Sequence, residues 1–95
     1  MEKLKRHYVY MLRCADDTLY TGYTTDPKRR LEEHNRGVGA KYTRARLPVA
    51  LVYLEEGPNK SWGLRREAAI KKLCRRKKLE LIEKAGDPFE NTTCS

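Results

Sequence analysis

Hydrophobic and polar residues alternate in three short runs, and each run has the composition of a β-strand. Residues 7–14 and 18–24 are rich in aromatic and β-branched types, which favour strands. Only a short polar break separates these two runs, so the spacing predicts an antiparallel hairpin. Residues 48–55 form a third run and predict a third strand.

The segments between and after these runs carry helix signals. Asp26 can cap free backbone N–H groups and Pro27 suits a first helical position, which predicts a helix to about Arg36. Residues 61–73 place their large apolar side chains near one face, as an amphipathic helix does. A further short helix is predicted over residues 75–84.

The order strand, strand, helix, strand, helix, helix predicts a single α/β (α+β) domain with a three-stranded antiparallel sheet flanked by helices. The chain has 95 residues, enough for one modest core and too few for two. We therefore assign residues 7–85 to the domain and treat 1–6 and 86–95 as terminal extensions. Residues 37–46 contain glycine and basic residues and are predicted to form a loop.

The charge balance favours a polyanionic partner. The chain has 21 Lys and Arg residues against 13 Asp and Glu, a formal net charge of +8. Among polyanions, a small domain with this excess favours nucleic acid, although a basic protein with no such partner has the same balance.

The composition also argues against membrane, secreted and zinc-binding proteins. No apolar run approaches the roughly 20 residues that a membrane span needs, and the charged N-terminal segment lacks the apolar stretch of a signal peptide. Cys14, Cys74 and Cys94 lie far apart, and no CxxC pair occurs. We therefore expect a protein of the reducing cytoplasm, without a zinc site or a disulfide framework.

Residues with catalytic potential occur in a fixed order along the chain. Tyr8-Val9-Tyr10 lies on the first predicted strand and Tyr20-Thr21-Gly22 on the second, while Arg30 and His34 share one helix and Glu67 lies on a later one. This ordered set resembles the GIY-YIG nuclease domain, in which the two tyrosine motifs, an arginine, a histidine and a glutamate follow at these spacings.

The resemblance extends through residues 39–44 and 64–67 and covers nearly all of residues 7–85. It is closest to the small single-domain bacterial group of that superfamily. Within the two tyrosine motifs, Tyr8 replaces the glycine of GIY and Thr21 the isoleucine of YIG. The downstream asparagine of homing-endonuclease members and the lysine that excision-repair members carry after YIG have no match here. The resemblance implies an endonuclease that depends on Mg²⁺ or Mn²⁺ and acts on DNA.

Phosphodiester hydrolysis requires an activated water, charge stabilisation and help for the leaving oxygen. Tyr10 is the candidate base or water-orienting group, with Tyr20 and His34 as positioning groups. Arg30 offers donors that match phosphate oxygens. Glu67 is the candidate metal ligand, because Mg²⁺ often binds through only one or two protein carboxylates.

Each of these residues also has a purely structural interpretation. The two tyrosines could be packing residues of strands, and Arg30 and His34 a solvated helix face. Glu67 could simply pair with Lys71 one turn later. Gly22 interrupts a strand, which indicates either a bulge or a close approach of another group to the backbone.

Basic residues are concentrated in the second half of the chain. Residues 65–78 contain eight Lys and Arg residues, and Glu67 is their only acidic neighbour. A phosphate-binding surface and a solvated helix pair both explain this run. Tyr42 could stack on an unpaired base or pack on the fold. The candidate nucleic-acid contacts are Gly22, Lys41, Tyr42, Arg44, Arg46, Arg66, Lys71, Arg75 and Arg76.

The sequence thus predicts a metal-dependent endonuclease that hydrolyses DNA phosphodiester bonds, with nicked, flapped or branched DNA of repair or recombination as the expected substrates. A non-catalytic module that binds nucleic acid through the same basic face is the alternative. A third interpretation is a domain that needs a partner protein to select its substrate.

Overall fold

The structure is a computed structural model, and it describes residues 6–86. A three-stranded antiparallel sheet is combined with four helices, so the predicted α+β fold is confirmed. The elements in chain order are β1 (His7–Arg13), β2 (Leu19–Thr24), α1 (Pro27–Asn35), α2 (Lys41–Arg44), β3 (Ala50–Gly57), α3 (Lys60–Lys71) and α4 (Arg75–Ala85).

The sheet has the order β2-β1-β3, with β1 in the centre and antiparallel to both neighbours. Side chains alternate between the two faces of a strand. Val9 and Met11 therefore point to one face of β1, while Tyr10 and Leu12 point to the other. All four are buried, because helices and loops cover both faces of the central strand.

Each face of the sheet has its own hydrophobic cluster. On one face, Val9, Met11 and Tyr53 pack against Ile70 of α3, with partly buried side chains of α4 around them. The cluster on the other face contains Tyr10, Leu12, Cys14, Val49 and, from α1, Leu31. The sheet thus separates α3 and α4 from α1.

The helix starts follow the predicted capping chemistry. The Asp26 carboxylate accepts a hydrogen bond from the Arg29 backbone N–H, and Pro27 is the first residue of α1. The Asn59 side chain caps α3 by accepting from the Trp62 backbone N–H at 2.8 Å. These side chains satisfy donors that a helix start leaves free.

Most elements begin or end within one or two residues of the predicted bounds, and two differences from the predictions bear on the site. The predicted loop over residues 37–46 contains the single-turn helix α2, which is too short to give a periodic pattern. The third strand covers Ala50–Gly57 instead of residues 48–55. It begins later because the Asn35 side-chain amide binds both backbone groups of Val49, at 3.0 and 2.8 Å, in place of a strand neighbour.

Within residues 6–86, no helix is long and apolar enough to cross a membrane. Cys14 is buried and Cys74 is exposed, and both are free thiols. Cys94 and most of the two predicted terminal extensions lie outside the described residues.

Candidate active site

Tyr10 occupies the space that a side chain at position 22 would fill. Tyr10 on β1 is paired with Gly22 on β2. A Cβ atom at position 22 would lie 2.5 Å from the Tyr10 hydroxyl oxygen and 2.6 Å from its ring carbon Cζ. The missing side chain of Gly22 therefore allows the phenol of Tyr10 to lie directly on the β2 backbone.

His34 lies beside this phenol and is fully buried. Its Nε2 atom is 3.0 Å from the Tyr10 hydroxyl oxygen, and its Nδ1 atom is 2.8 Å from the Thr43 hydroxyl oxygen. Gly39 packs against the imidazole so closely that a side chain there would collide with the ring. The Tyr20 ring meets the imidazole edge-on, with centroids 5.4 Å apart.

Tyr20 also stacks on Tyr42, which in turn stacks on Arg46. The Tyr42 ring lies against it with centroids 6.0 Å apart and planes inclined by 24°. The Arg46 guanidinium covers the Tyr42 ring at 3.9 Å and is held by Asp16 of the β1–β2 turn at 3.0 Å. Tyr42 thus packs against Tyr20 and Arg46, which favours the packing interpretation over base stacking.

Burial and nearby charges keep the central phenol and imidazole neutral near neutral pH. Burial raises the pKa of Tyr10 to about 12, and the Arg30 guanidinium opposes this rise only in part. Burial also lowers the pKa of His34, and the positive charge of Arg30 adds to the effect. The Tyr10 hydroxyl and the His34 imidazole therefore share a hydrogen bond between two neutral groups.

Arg30 and Glu67 complete the charges around Tyr10. Arg30 on α1 donates to Glu33 at 2.9 Å, and its positive charge acts on Tyr10. The negative charge of Glu67 on α3 acts on the same phenol and raises its pKa. Glu67 also pairs with Lys71 at 3.0 Å. The charges of Arg30 and Glu67 thus both act on Tyr10, although the two residues come from opposite faces of the sheet.

A single carboxylate is available to a metal at this position. Among the described residues, no three His, Cys, Asp or Glu side chains are close enough to form a metal cluster. Glu67 is nevertheless a fitting ligand for Mg²⁺ or Mn²⁺, since hard cations take carboxylate oxygen and keep several waters. Its competing partner Lys71 is half exposed, and exposed ion pairs of this kind are weak.

Comparison with known proteins identifies the family. The model of the GIY-YIG catalytic domain matches residues 6–80. The chain belongs to the GIY-YIG nuclease superfamily. The resemblance inferred from the tyrosine motifs is thereby confirmed, and membership associates this domain with nucleic acid.

Its relatives include small bacterial and archaeal proteins. A UPF0213 protein of Halalkalibacterium halodurans is 52% identical over 87 residues, covering 92% of this chain and 93% of that protein. A UPF0213 protein of Natronomonas pharaonis is 58% identical over 76 residues, covering 80% and 89%.

Two solution NMR structures are also similar to this chain. A UPF0213 protein from Bacillus halodurans has a TM-score of 0.58 at 51% identity, with 93% of this chain and 94% of that chain covered. A protein from E. faecalis has a TM-score of 0.59 at 46% identity, with 88% and 90% covered.

The predicted nucleic-acid contacts of this GIY-YIG domain fall into two groups. Lys41 and Arg44 are exposed on α2, next to the pocket that Thr43 of the same helix helps to form. Within residues 6–86 neither side chain makes an ion pair. Both therefore remain candidates for phosphate contacts.

The other predicted cations each have an acidic partner. Arg66 donates to Glu55 at 2.6 Å and so ties α3 to β3, the sheet edge away from Gly22. This contact gives Arg66 a structural role at some distance from the tyrosines. The remaining pairs are Lys71 with Glu67, Arg75 with Asp17, Arg76 with Glu80 and Arg46 with Asp16.

Sequence reasoning missed Thr43, Gly39 and Asn35 as supports of the site. Thr43 and Gly39 contact His34 directly, and Asn35 holds the chain entering β3. These residues support the site through tertiary contacts, which residue type and periodicity do not reveal. A glycine and a threonine within a loop otherwise poor in large apolar residues are the only local indication.

Proposed function

We propose that this protein is an endonuclease that uses Mg²⁺ or Mn²⁺ to hydrolyse DNA phosphodiester bonds. The observation that supports this proposal is the phenol of Tyr10 on the bare backbone of Gly22, with the charges of Arg30 and Glu67 acting on that phenol. Each element of phosphodiester hydrolysis has a candidate group in this pocket: proton transfer, charge stabilisation and a metal ligand.

Arg30 is the proposed phosphate clamp. Its side chain is one-third exposed, and the contact with Glu33 uses only part of the five N–H donors of a guanidinium. The remaining donors match phosphoryl oxygens in geometry and charge. Arg30 would hold the scissile phosphate against Tyr10 and stabilise the negative charge that develops on its oxygens.

Tyr10 and His34 are the proposed route for the proton of the attacking water. A phenol with a pKa of about 12 supplies little phenolate on its own. As the water attacks phosphorus, its O–H bond breaks and a new O–H bond forms on Tyr10. The original Tyr10 proton moves to Nε2 of His34, 3.0 Å away. Tyr20, edge-on to the imidazole, would keep the ring in place.

Glu67 is the proposed ligand of Mg²⁺ or Mn²⁺. When bound, the ion supplies positive charge to the phosphoryl and leaving oxygens. Glu67 would exchange its contact with the exposed Lys71 for this role.

The proposed substrates are nicked, flapped or branched DNA of repair or recombination in the cytoplasm. Lys41 and Arg44 would contact the phosphate backbone beside the pocket, which positions DNA without reading its sequence. A partner protein would add substrate selection.

Cleavage assays with Glu67→Gln test the proposed activity. Nicked, flapped, branched and plain duplex DNA are incubated with Mg²⁺, with Mn²⁺ and with a chelator. We expect metal-dependent cleavage and a loss of about 100-fold or more in Glu67→Gln, because an amide binds a hard cation poorly. Glu80→Gln, an exposed helix glutamate outside the pocket, is the matched control and should remain active. Equal cleavage by Glu67→Gln and the control would refute the mechanism.

A non-catalytic nucleic-acid-binding module is the second candidate. Two observations favour it, since Arg30 already pairs with Glu33 and Glu67 with Lys71. This candidate predicts salt-dependent binding that is indifferent to metal and is retained in full by Tyr10→Phe.

A further inference from the structure

The site contains a chain of hydrogen bonds that ends on the backbone of the loop before α2. The Tyr10 hydroxyl meets Nε2 of His34 at 3.0 Å, and Nδ1 of His34 meets the Thr43 hydroxyl at 2.8 Å. The Thr43 hydroxyl in turn lies 3.0 Å from the Ala40 carbonyl oxygen. Both His34 and Thr43 are fully buried, so water does not replace these contacts.

The Ala40 carbonyl oxygen determines the donor and acceptor roles along this series of hydrogen bonds. A carbonyl oxygen only accepts, and a hydroxyl has one hydrogen to donate. The Thr43 hydrogen is therefore directed to Ala40, which leaves the Thr43 oxygen as an acceptor for Nδ1–H of His34. A neutral imidazole has one N–H, so Nε2 has a lone pair and accepts the Tyr10 hydrogen.

Two further contacts bear on this direction. The positive charge of Arg30 acts on Tyr10, and a guanidinium can only donate, so a contact with Arg30 leaves the phenol hydrogen for His34. The Ala40 backbone N–H donates toward Nδ1, which favours the opposite tautomer, but at 3.5 Å this contact is much longer than the 2.8 Å between Nδ1 and the Thr43 hydroxyl and is the weaker of the two.

We propose that Thr43 is a positioning residue that sets the tautomer of His34. Its hydroxyl holds the imidazole as the Nδ1–H form and thereby turns the basic Nε2 atom toward Tyr10. In the Nε2–H tautomer, Nε2 would donate to the Tyr10 oxygen, and the basic lone pair would lie on Nδ1, directed away from the phenol.

The catalytic consequence rests on the proposed nuclease function. In the relay described above, Nε2 must be free to take the Tyr10 proton while Nδ1–H stays on Thr43. Loss of the Thr43 hydroxyl therefore lowers the rate of the chemical step and leaves DNA binding unchanged, since Thr43 is buried and Lys41 and Arg44 remain exposed.

NMR of the ¹⁵N-labelled full chain at pH 7.5 tests the tautomer without any activity measurement. Correlations between ring protons and ring nitrogens distinguish a protonated from an unprotonated imidazole nitrogen. We expect Nδ1 of His34 to be protonated in the natural protein and in Thr43→Ser. We expect Thr43→Val to lose the dominance of this form. An Nε2–H tautomer in the natural protein, or an unchanged tautomer in Thr43→Val, would overturn the proposal.

Cleavage kinetics provide the second measurement. Thr43→Val should lower kcat roughly tenfold or more with KM for DNA unchanged, and Thr43→Ser should restore most of the loss. Thr25→Val is the matched control, because Thr25 is exposed and outside this chain of bonds. If Thr43→Val does not fold, Thr43→Ala serves in both measurements. A Thr43-dependent tautomer without any DNA cleavage would refute the nuclease function and leave the positioning role intact.

Discussion

At the scale of single residues, small side chains make the pocket possible. Gly22 and Gly39 lie against Tyr10 and His34, the two residues that share the central hydrogen bond. Any side chain at either glycine would occupy space already filled by a ring. The geometry of the site therefore depends on the absence of a side chain at these two positions. Adding a methyl group tests this dependence directly.

We expect Gly22→Ala to destabilise the protein by about 1–3 kcal/mol, the usual cost of overpacking. The new Cβ would lie 2.5 Å from the Tyr10 hydroxyl oxygen and push the phenol away from its position. Urea unfolding measures the stability, and the ring resonances of His34 report whether its contact with Tyr10 survives. Unchanged stability together with unchanged His34 resonances would contradict the close packing at this position.

At the scale of elements, α3 is positioned by the close contact of a glycine with an aromatic ring. Gly63 lies against Tyr23 of β2, and Glu67 follows one helical turn later. The depth at which Gly63 meets the sheet therefore determines where the Glu67 carboxylate lies. Three residues after Gly63, the ion pair of Arg66 with Glu55 holds the helix to β3.

In Gly63→Ala, higher helix propensity and poorer packing have opposite effects on the stability of the protein. In an exposed helix, alanine for glycine would stabilise by about 1 kcal/mol. Here the added Cβ lies 2.5 Å from Cδ1 of Tyr23, so we expect a net loss of stability. In a Tyr23→Ala background the ring is absent, and the same substitution should become stabilising. Thermal unfolding of the four proteins measures this reversal, and a gain in Tm from Gly63→Ala alone would show that α3 tolerates the added methyl.

At the scale of the whole molecule, His34 joins the sheet to two helices. It belongs to α1, and it binds Tyr10 of β1 and Thr43 of α2. Because it is buried in its neutral form, its protonation opposes the folded state as a whole.

We expect stability to fall as the pH is lowered from about 7 toward 5. The pKa of His34 is lowered in the folded protein, so the unfolded chain binds a proton more readily. The contribution is fully present above the unfolded pKa of about 6.5 and is lost as the pH falls through the folded value. Tm should decline as the pH is lowered across this range, and the decline should be smaller in His34→Asn. An equally steep decline in His34→Asn would assign the pH dependence to other groups.

The sequence predicted the elements well because each depends on local chemistry. The β1–β2 hairpin, the Asp26 cap and the strand and helix order follow from residue type and spacing alone. Family resemblance indicated Tyr10, Arg30 and Glu67, which lie on both faces of the sheet and have no local signal that joins them. Thr43 and Asn35 act through distant partners, and α2 is a single turn, so none of the three gave a pattern.

The sheet order has a consequence for how the chain is built during synthesis. β1 leaves the ribosome before both of its neighbours, and it first meets β2, from which it is separated by a short turn. Its other partner, β3, lies some forty residues later, as in the pair Met11 and Tyr53. One edge of β1 therefore stays without its strand partner until residue 57 has been synthesised. Glu67, whose charge acts on Tyr10, is added ten residues later still.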